Sequence, residues 1–132
     1  MQEFISKLIT IQSLSKEVHW NARGRGFLYI HPYLDEIYEN SLAFIDELAE
    51  YMVASQAAVP RWYGEDFDSF PQSVLSDNNI ITGLRQVREQ VNELVESLDD
   101  AYEGLDPVGA DIITRLQATF EKHLWFLTAE LR

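Results

Sequence analysis

Between residues 19 and 50 stand five side chains whose types could act on one ligand together: His19, His31, Asp35, Asp46 and Glu50. The histidines are twelve residues apart, Asp35 follows His31 by four, and Asp46 and Glu50 are again four apart. Imidazole nitrogen and carboxylate oxygen together suit iron, zinc or manganese. Cysteine is absent, which excludes thiolate metal sites, disulfides and cysteine nucleophiles.

Whether these groups can act together is a question of helix geometry. Each helical residue advances about 100° and rises about 1.5 Å. With His31 at the origin, Asp35 falls at about 40°, Asp46 at about 60° and Glu50 at about 100°. All four share one stripe, and such a stripe is costly to bury unless something pairs with it. Along the axis, however, Asp35 and Asp46 are roughly 16 Å apart, too far to hold one ion within one chain. His31 with Asp35 is one half-site, and Asp46 with Glu50 is another. The halves meet when a second copy of the helix lies antiparallel across a two-fold axis near Asn40 to Leu42. The symmetry then makes two identical sites. His19, at the end of the preceding helix, reaches the same corner because the loop from Ala22 to Ile30 returns the chain to His31.

Each residue also has an ordinary reading. His19 can be a helix-end histidine hydrogen-bonded to a carbonyl. His31 can cap the second helix, and Asp35 can favour its N-terminus through the helix dipole. Asp46 and Glu50 can be solvated surface. One by one these readings are the stronger; for a set with complementary halves on one stripe they become strained.

Four segments carry helical periodicity. The first runs from about Gln2 to Asn21, and the glycines of ARGRG break it. The second opens at His31-Pro32, where proline suits a first turn, and runs to about Ala57. The third spans about Ile80 to Glu103. GLDP is the stop and restart, and the fourth spans about Pro107 to Leu131. Pro60 to Asn79 mixes aromatics, glycine, proline and small polar residues. It reads as a long ordered connection with one short helix near Pro71–Leu75. The expectation is an all-α four-helix bundle forming one domain over residues 1–132. The long connection lets helices two and three run parallel; up-down-up-down is the second choice.

Composition narrows the function classes. Of 132 residues, 46% are hydrophobic and 24% charged, as in a soluble globular chain. The opening MQEFISKLITIQ does not read as a signal peptide, and no apolar run is long enough for a membrane span. A cytoplasmic setting fits. Net charge is −12, and the ten Lys and Arg residues are scattered. A nucleic-acid binder needs a basic patch, which is not visible here. The acidic excess suits attraction of cations, or simply solubility.

His19-Trp20-Asn21, then Gly24, Phe27, His31, Asp35, Asp46 and Glu50, match in every spacing the motif of the Dps family of small ferritin-like proteins, which this chain resembles. The stretch ADIITRLQATFEKHLWFL also resembles that family's last helix. The resemblance implies a ferritin-like bundle assembling from two-fold dimers into a hollow dodecamer. It implies ferroxidase centres at the dimer interfaces, where Fe(II) is oxidised, preferably by hydrogen peroxide, and Fe(III) is stored as mineral. Asp46 and Glu50 would be the main iron ligands, with His19, His31 and Asp35 from the partner chain. Trp20 would lie near the centre, although aromatic packing explains it as well.

The resemblance also implies acidic pores at three-fold axes near the start of the fourth helix. Asp111 is the first candidate there, with Asp106 and Glu103 weaker, and ordinary solvated surface is the competing reading for all three. The chain departs from the family pattern in three ways. It lacks the lysine-rich tail that binds DNA in many members, so no DNA binding is expected. Its segment 61–79 does not match the usual connection, and Arg25 stands where a proline is common. His123 reads as a packing or hydrogen-bonding histidine, and Glu89, Glu93, Glu96, Asp99 and Asp100 as an exposed face. Two other functions stay open: a structural shell without ferroxidase activity, and a DNA-compacting protein, which the charge disfavours.

Overall fold

The computed structural model describes residues 1–59 and 78–132. The expected short helix at 71–75 and most of the aromatic segment 61–79 lie outside them. The described residues form four helices: α1 (Gln2–Asn21), α2 (Phe27–Ala54), α3 (Ile80–Leu98) and α4 (Pro107–Glu130). Each presents an apolar stripe to a shared core. Leu8, Leu14, Leu34, Leu48, Val87, Leu94, Ile113 and Phe120 are completely buried there. Burial of this kind, at about 25 cal/mol per Å² of apolar surface, holds the bundle together.

Contacts at the helix ends fix the topology. Just past α1, the Arg23 N–H donates to the Asn78 carbonyl at 2.9 Å, and the Ile80 N–H donates back to the Arg23 carbonyl at 3.1 Å. The start of α3 therefore meets the end of α1. Near the other end Lys7 approaches Glu93 at 4.0 Å. Since α1 and α2 form an antiparallel pair, α2 and α3 run parallel, and the end of α2 and the start of α3 lie at opposite ends of the bundle. α4 returns antiparallel to α2: the Tyr29 hydroxyl donates to Glu130 at 2.6 Å, and the Tyr51 hydroxyl to Asp106 at 2.9 Å. This is the parallel arrangement expected over the up-down-up-down one.

Two helix bounds differ from expectation. α2 begins at Phe27 rather than at His31-Pro32. Gly24 and Gly26 adopt φ of +133° and +87°, so the chain turns directly into the helix four residues early. Pro32 then lies inside the helix and forgoes only the bond to the Leu28 carbonyl, in an exposed turn where water reaches it. His31 is thus not a helix cap, and Asp35 lies in the third turn, beyond useful reach of the helix dipole. α3 ends at Leu98, its last fully buried residue, rather than at Glu103. Turns lead to Gly104 at φ +76° and to Asp106, whose carboxylate caps α4 by accepting the Gly109 N–H at 2.8 Å.

α1 and α3 approach closely at Gly83, where an added Cβ would lie 2.8 Å from Val18 Cγ1. Val18 is stiff and fully buried, so it cannot yield. Gly83→Val is expected to cost about 1–3 kcal/mol through overpacking, read as a lower thermal midpoint.

Candidate metal centre

The loop 22–26 is short, so the last turn of α1 lies beside the second turn of α2. His19 and His31 stack there, with ring centroids 3.6 Å apart and planes 13° from parallel. Phe27 stacks on the outer face of His31 at 4.7 Å. The two imidazoles are tied reciprocally. His19 Nδ1 lies 2.6 Å from the His31 carbonyl oxygen, and His31 Nδ1 lies 2.8 Å from the His19 carbonyl oxygen. A carbonyl only accepts, so each Nδ1 carries its hydrogen. In the neutral rings both Nε2 atoms are then left with lone pairs. Fixing one ring nitrogen by a carbonyl is the usual way in which a protein orients a metal-binding histidine. The ordinary reading of His19, a bond to a carbonyl, is thereby correct as geometry and serves the metal reading too.

Asp35, one turn beyond His31, completes the corner. Its Oδ2 faces His19 Nε2 at 3.5 Å. A carboxylate oxygen and an imidazole lone pair facing each other repel unless a cation or proton lies between them. Two ligand atoms each about 2.1 Å from one ion stand at about this separation when they subtend a tetrahedral angle. The other oxygen, Oδ1, accepts a 2.7 Å bond from Lys16 Nζ. That contact, with the Lys16 charge beside it, holds the Asp35 carboxyl below the usual carboxylate range, against a smaller opposing effect of burial. Lys16 also lies over the Tyr38 ring at 4.6 Å and within 6.0 Å of Trp20. Trp20 itself is largely exposed, as are neighbouring Leu28 and Tyr29.

Asp46 and Glu50 lie further along α2, exposed, and take no part in this corner within one chain. Among the described residues no three histidine or acidic side chains converge closely enough to hold a metal ion within one chain. The structure stacks His19 on His31 and sets His19 beside Asp35 without closing the three into one ligand set, and it leaves Asp46 and Glu50 apart from them.

The acids near α4 are engaged elsewhere. The Asp106 carboxylate caps α4 and accepts from Tyr51; the Gly109 N–H, then Tyr51, lower its pKa. Asp111 accepts from Arg115 Nε at 3.1 Å, and Arg115 also pairs with Glu47 across to α2. Glu103 is exposed.

Sequence reasoning missed two groups. One is Lys16, whose signal was its place one turn before His19. The other is the pair that satisfies His123. Tyr33 Oη lies 2.7 Å from His123 Nδ1, and Asn40 Oδ1 lies 2.7 Å from His123 Nε2. The expected hydrogen-bonding histidine is thus buried and doubly satisfied between α2 and α4. The acids at 89, 93, 96, 99 and 100 form the exposed face that was expected.

Comparisons with known proteins agree with this fold. A ferritin-like domain family matches residues 1–132. The DNA protection during starvation protein of Streptococcus suis is 31% identical over 144 residues, covering 99% of this chain and 80% of that one. The chain belongs to the Dps family of ferritin-like proteins. The Agrobacterium fabrum relative of the same name is 26% identical over 140 residues, covering 100% of this chain and 85% of its own. Among solved structures, Dps92 from Deinococcus radiodurans matches the fold with a TM-score of 0.69 at 20% identity, over 99% of this chain and 82% of that one. Dps from Listeria innocua soaked with cobalt matches with a TM-score of 0.62 at 20% identity, over 98% and 90%. The parallel α2 and α3 are thus the ferritin-like topology. No described helix is long and apolar enough to cross a membrane.

Proposed function

We propose that this Dps-family chain oxidises Fe(II) at centres shared across a two-fold dimer interface and stores the Fe(III) product. The observation that carries the reading is the reciprocal bonding of His19 and His31. It leaves two Nε2 lone pairs, that of His19 facing an Asp35 oxygen at 3.5 Å. This corner supplies too few ligands alone, and Asp46 and Glu50 supply the complement when a second α2 crosses antiparallel near Asn40 to Leu42. A closed set of such dimers makes the dodecameric shell that encloses the mineral. Asp111, Asp106 and Glu103 are candidates for the pore, although Asp106 also caps α4.

Carboxylate-rich ligation tolerates both oxidation states of iron. With hydrogen peroxide as oxidant, two ferrous ions give one electron each. The O–O bond breaks, two protons are taken up, and two waters leave beside two ferric ions. The reaction removes both reactants that generate hydroxyl radical, and so protects DNA without touching it. The setting would be the cytoplasm. A test is ferric absorbance after anaerobic loading with Fe(II), followed by peroxide. Oxidation well above the buffer rate, with iron remaining soluble on the protein, supports the reading. A buffer-like rate in a correctly assembled oligomer favours a structural shell.

With net charge −12 and scattered basic residues, the chain is expected to show no shift of duplex DNA in a gel at low salt. A retarded band at micromolar protein would return the DNA-compacting alternative.

A further inference from the structure

We infer that the cleft between α3 and α4 is an oxyanion site, in which Arg85, Arg88 and Thr128 hold a phosphate group. The cleft has a volume of about 510 Å³, and its walls include Arg85, Arg88 and Glu89 from α3 and Leu124, Thr128 and Leu131 from α4. Arg85 and Arg88 are three residues apart, so both guanidinium groups leave α3 on the face that lines the cleft. The corner of His19, His31 and Asp35 is built on α1 and α2, so the inference does not depend on the metal-centre reading.

The chain has 22 acidic and ten basic residues, so a cation on a helix readily finds a carboxylate. Lys7 does so with Glu93, Lys16 with Asp35, and Arg115 with both Glu47 and Asp111. Arg85 and Arg88 have no carboxylate or other hydrogen-bond partner among the described residues. Even Glu89, four residues after Arg85 at a spacing that suits an ion pair, stays exposed and unpaired. Two guanidinium groups one turn apart repel each other, and an anion between them removes that repulsion. Each keeps its charge at any working pH and presents a fork of N–H donors that matches phosphate oxygens in pairs. The opposite wall adds a hydroxyl. Thr10 and Thr114 return theirs to the carbonyl four residues earlier, at 3.2 and 2.7 Å. Thr128 makes no such bond, which leaves its hydroxyl to donate into the cleft. Duplex DNA is not the ligand, because two arginines in a cleft on a chain of net charge −12 do not make the extended basic surface that a duplex needs.

The test is calorimetric titration of the assembled, metal-free protein in a buffer without other oxyanions. Inorganic phosphate is one ligand and adenosine 5′-monophosphate, a phosphate monoester, is the other. Wild type is expected to bind about one phosphate group per chain. Arg85→Gln and Arg88→Gln are each expected to weaken binding at least about tenfold. Glu89→Gln is expected to tighten it, because it removes a negative charge from the wall. Lys122→Gln, a cation outside the cleft, is expected to leave it unchanged. Equal or weaker binding of the monoester identifies free phosphate as the source. Tighter binding identifies a phosphate ester whose remaining part lies along Leu124 and Leu131. Absence of saturable binding in the wild type, or binding that both arginine variants retain, overturns the inference. So does a shell that falls apart in both arginine variants while the wild-type shell binds no phosphate, which would make the cleft a contact between copies. None of these outcomes bears on the metal centre.

Discussion

Replacing Glu50 by alanine is expected to slow peroxide-driven oxidation of Fe(II) at least about tenfold, the loss typical even of residues that only support a metal ligand. Asp46→Ala is expected to do the same. Both side chains are exposed on α2, and neither helps to hold the corner formed by His19, His31 and Asp35. Exposed substitutions away from caps and networks change stability by less than about 0.5 kcal/mol, so folding should be unaffected. A large kinetic loss without a fold defect separates a ligand from a structural acid. Stopped-flow ferric absorbance and size-exclusion chromatography, run on the same samples, measure the two. Loss of assembly in both variants would assign these acids a structural role instead.

The second large effect is on stability and concerns His123. It is 4% exposed. Its neutral ring is satisfied on both sides: Nε2–H donates to Asn40 Oδ1, and Nδ1 accepts from the Tyr33 hydroxyl. Burial, helped by the charge of Lys122, lowers its pKa to about 4, and burial raises that of Tyr33 above the usual range. The sign for His123 follows from proton counting. Below about pH 6.5 the unfolded chain takes up a proton at this residue and the folded chain does not, so stability falls with pH. The fall continues to about pH 4 and amounts to about 3 kcal/mol. His123→Leu removes that pH dependence. It also leaves a half-buried hydroxyl and a half-buried amide without their partner, at about 0.5–1.5 kcal/mol each. The thermal midpoint of the variant at pH 7 should drop by roughly 10 °C. A wild-type midpoint as high at pH 4.5 as at pH 7 would contradict this reading of the buried ring.

The sequence was legible where one helix or one turn decides the outcome. The bounds of α1 and the start of α4 follow from apolar spacing and from Asp106-Pro107, and both agree with the structure. The start of α2 was misread because Pro32 carries a strong first-turn preference, whereas two glycines with positive φ begin the helix earlier. The end of α3 was misread because Ala101 and Tyr102 continue its apolar period past the last buried turn. The spacing of His19, His31 and Asp35 was legible because a short loop closes them into one corner. What distant helices bring together was not: Tyr33 and Asn40 satisfy His123 from 90 and 83 residues away. Lys16 was within reach of helix arithmetic, since it precedes His19 by three residues on the face that meets α2. Its bond to Asp35 Oδ1 is visible only in the packed pair of helices.

The most direct test of a centre shared across the dimer is complementation between two inactive chains. One chain carries His31→Ala with Asp35→Ala, and the other carries Asp46→Ala with Glu50→Ala. In a mixed dimer one centre receives both damaged halves and the other receives both intact halves. Unfolded together in equal amounts and refolded, the two chains form mixed dimers about half the time, so oxidation should recover to about one quarter of the wild-type rate. Each chain refolded alone should stay near the buffer rate. A refolded mixture that forms shells but oxidises Fe(II) no faster than either chain alone would contradict a centre built from two subunits.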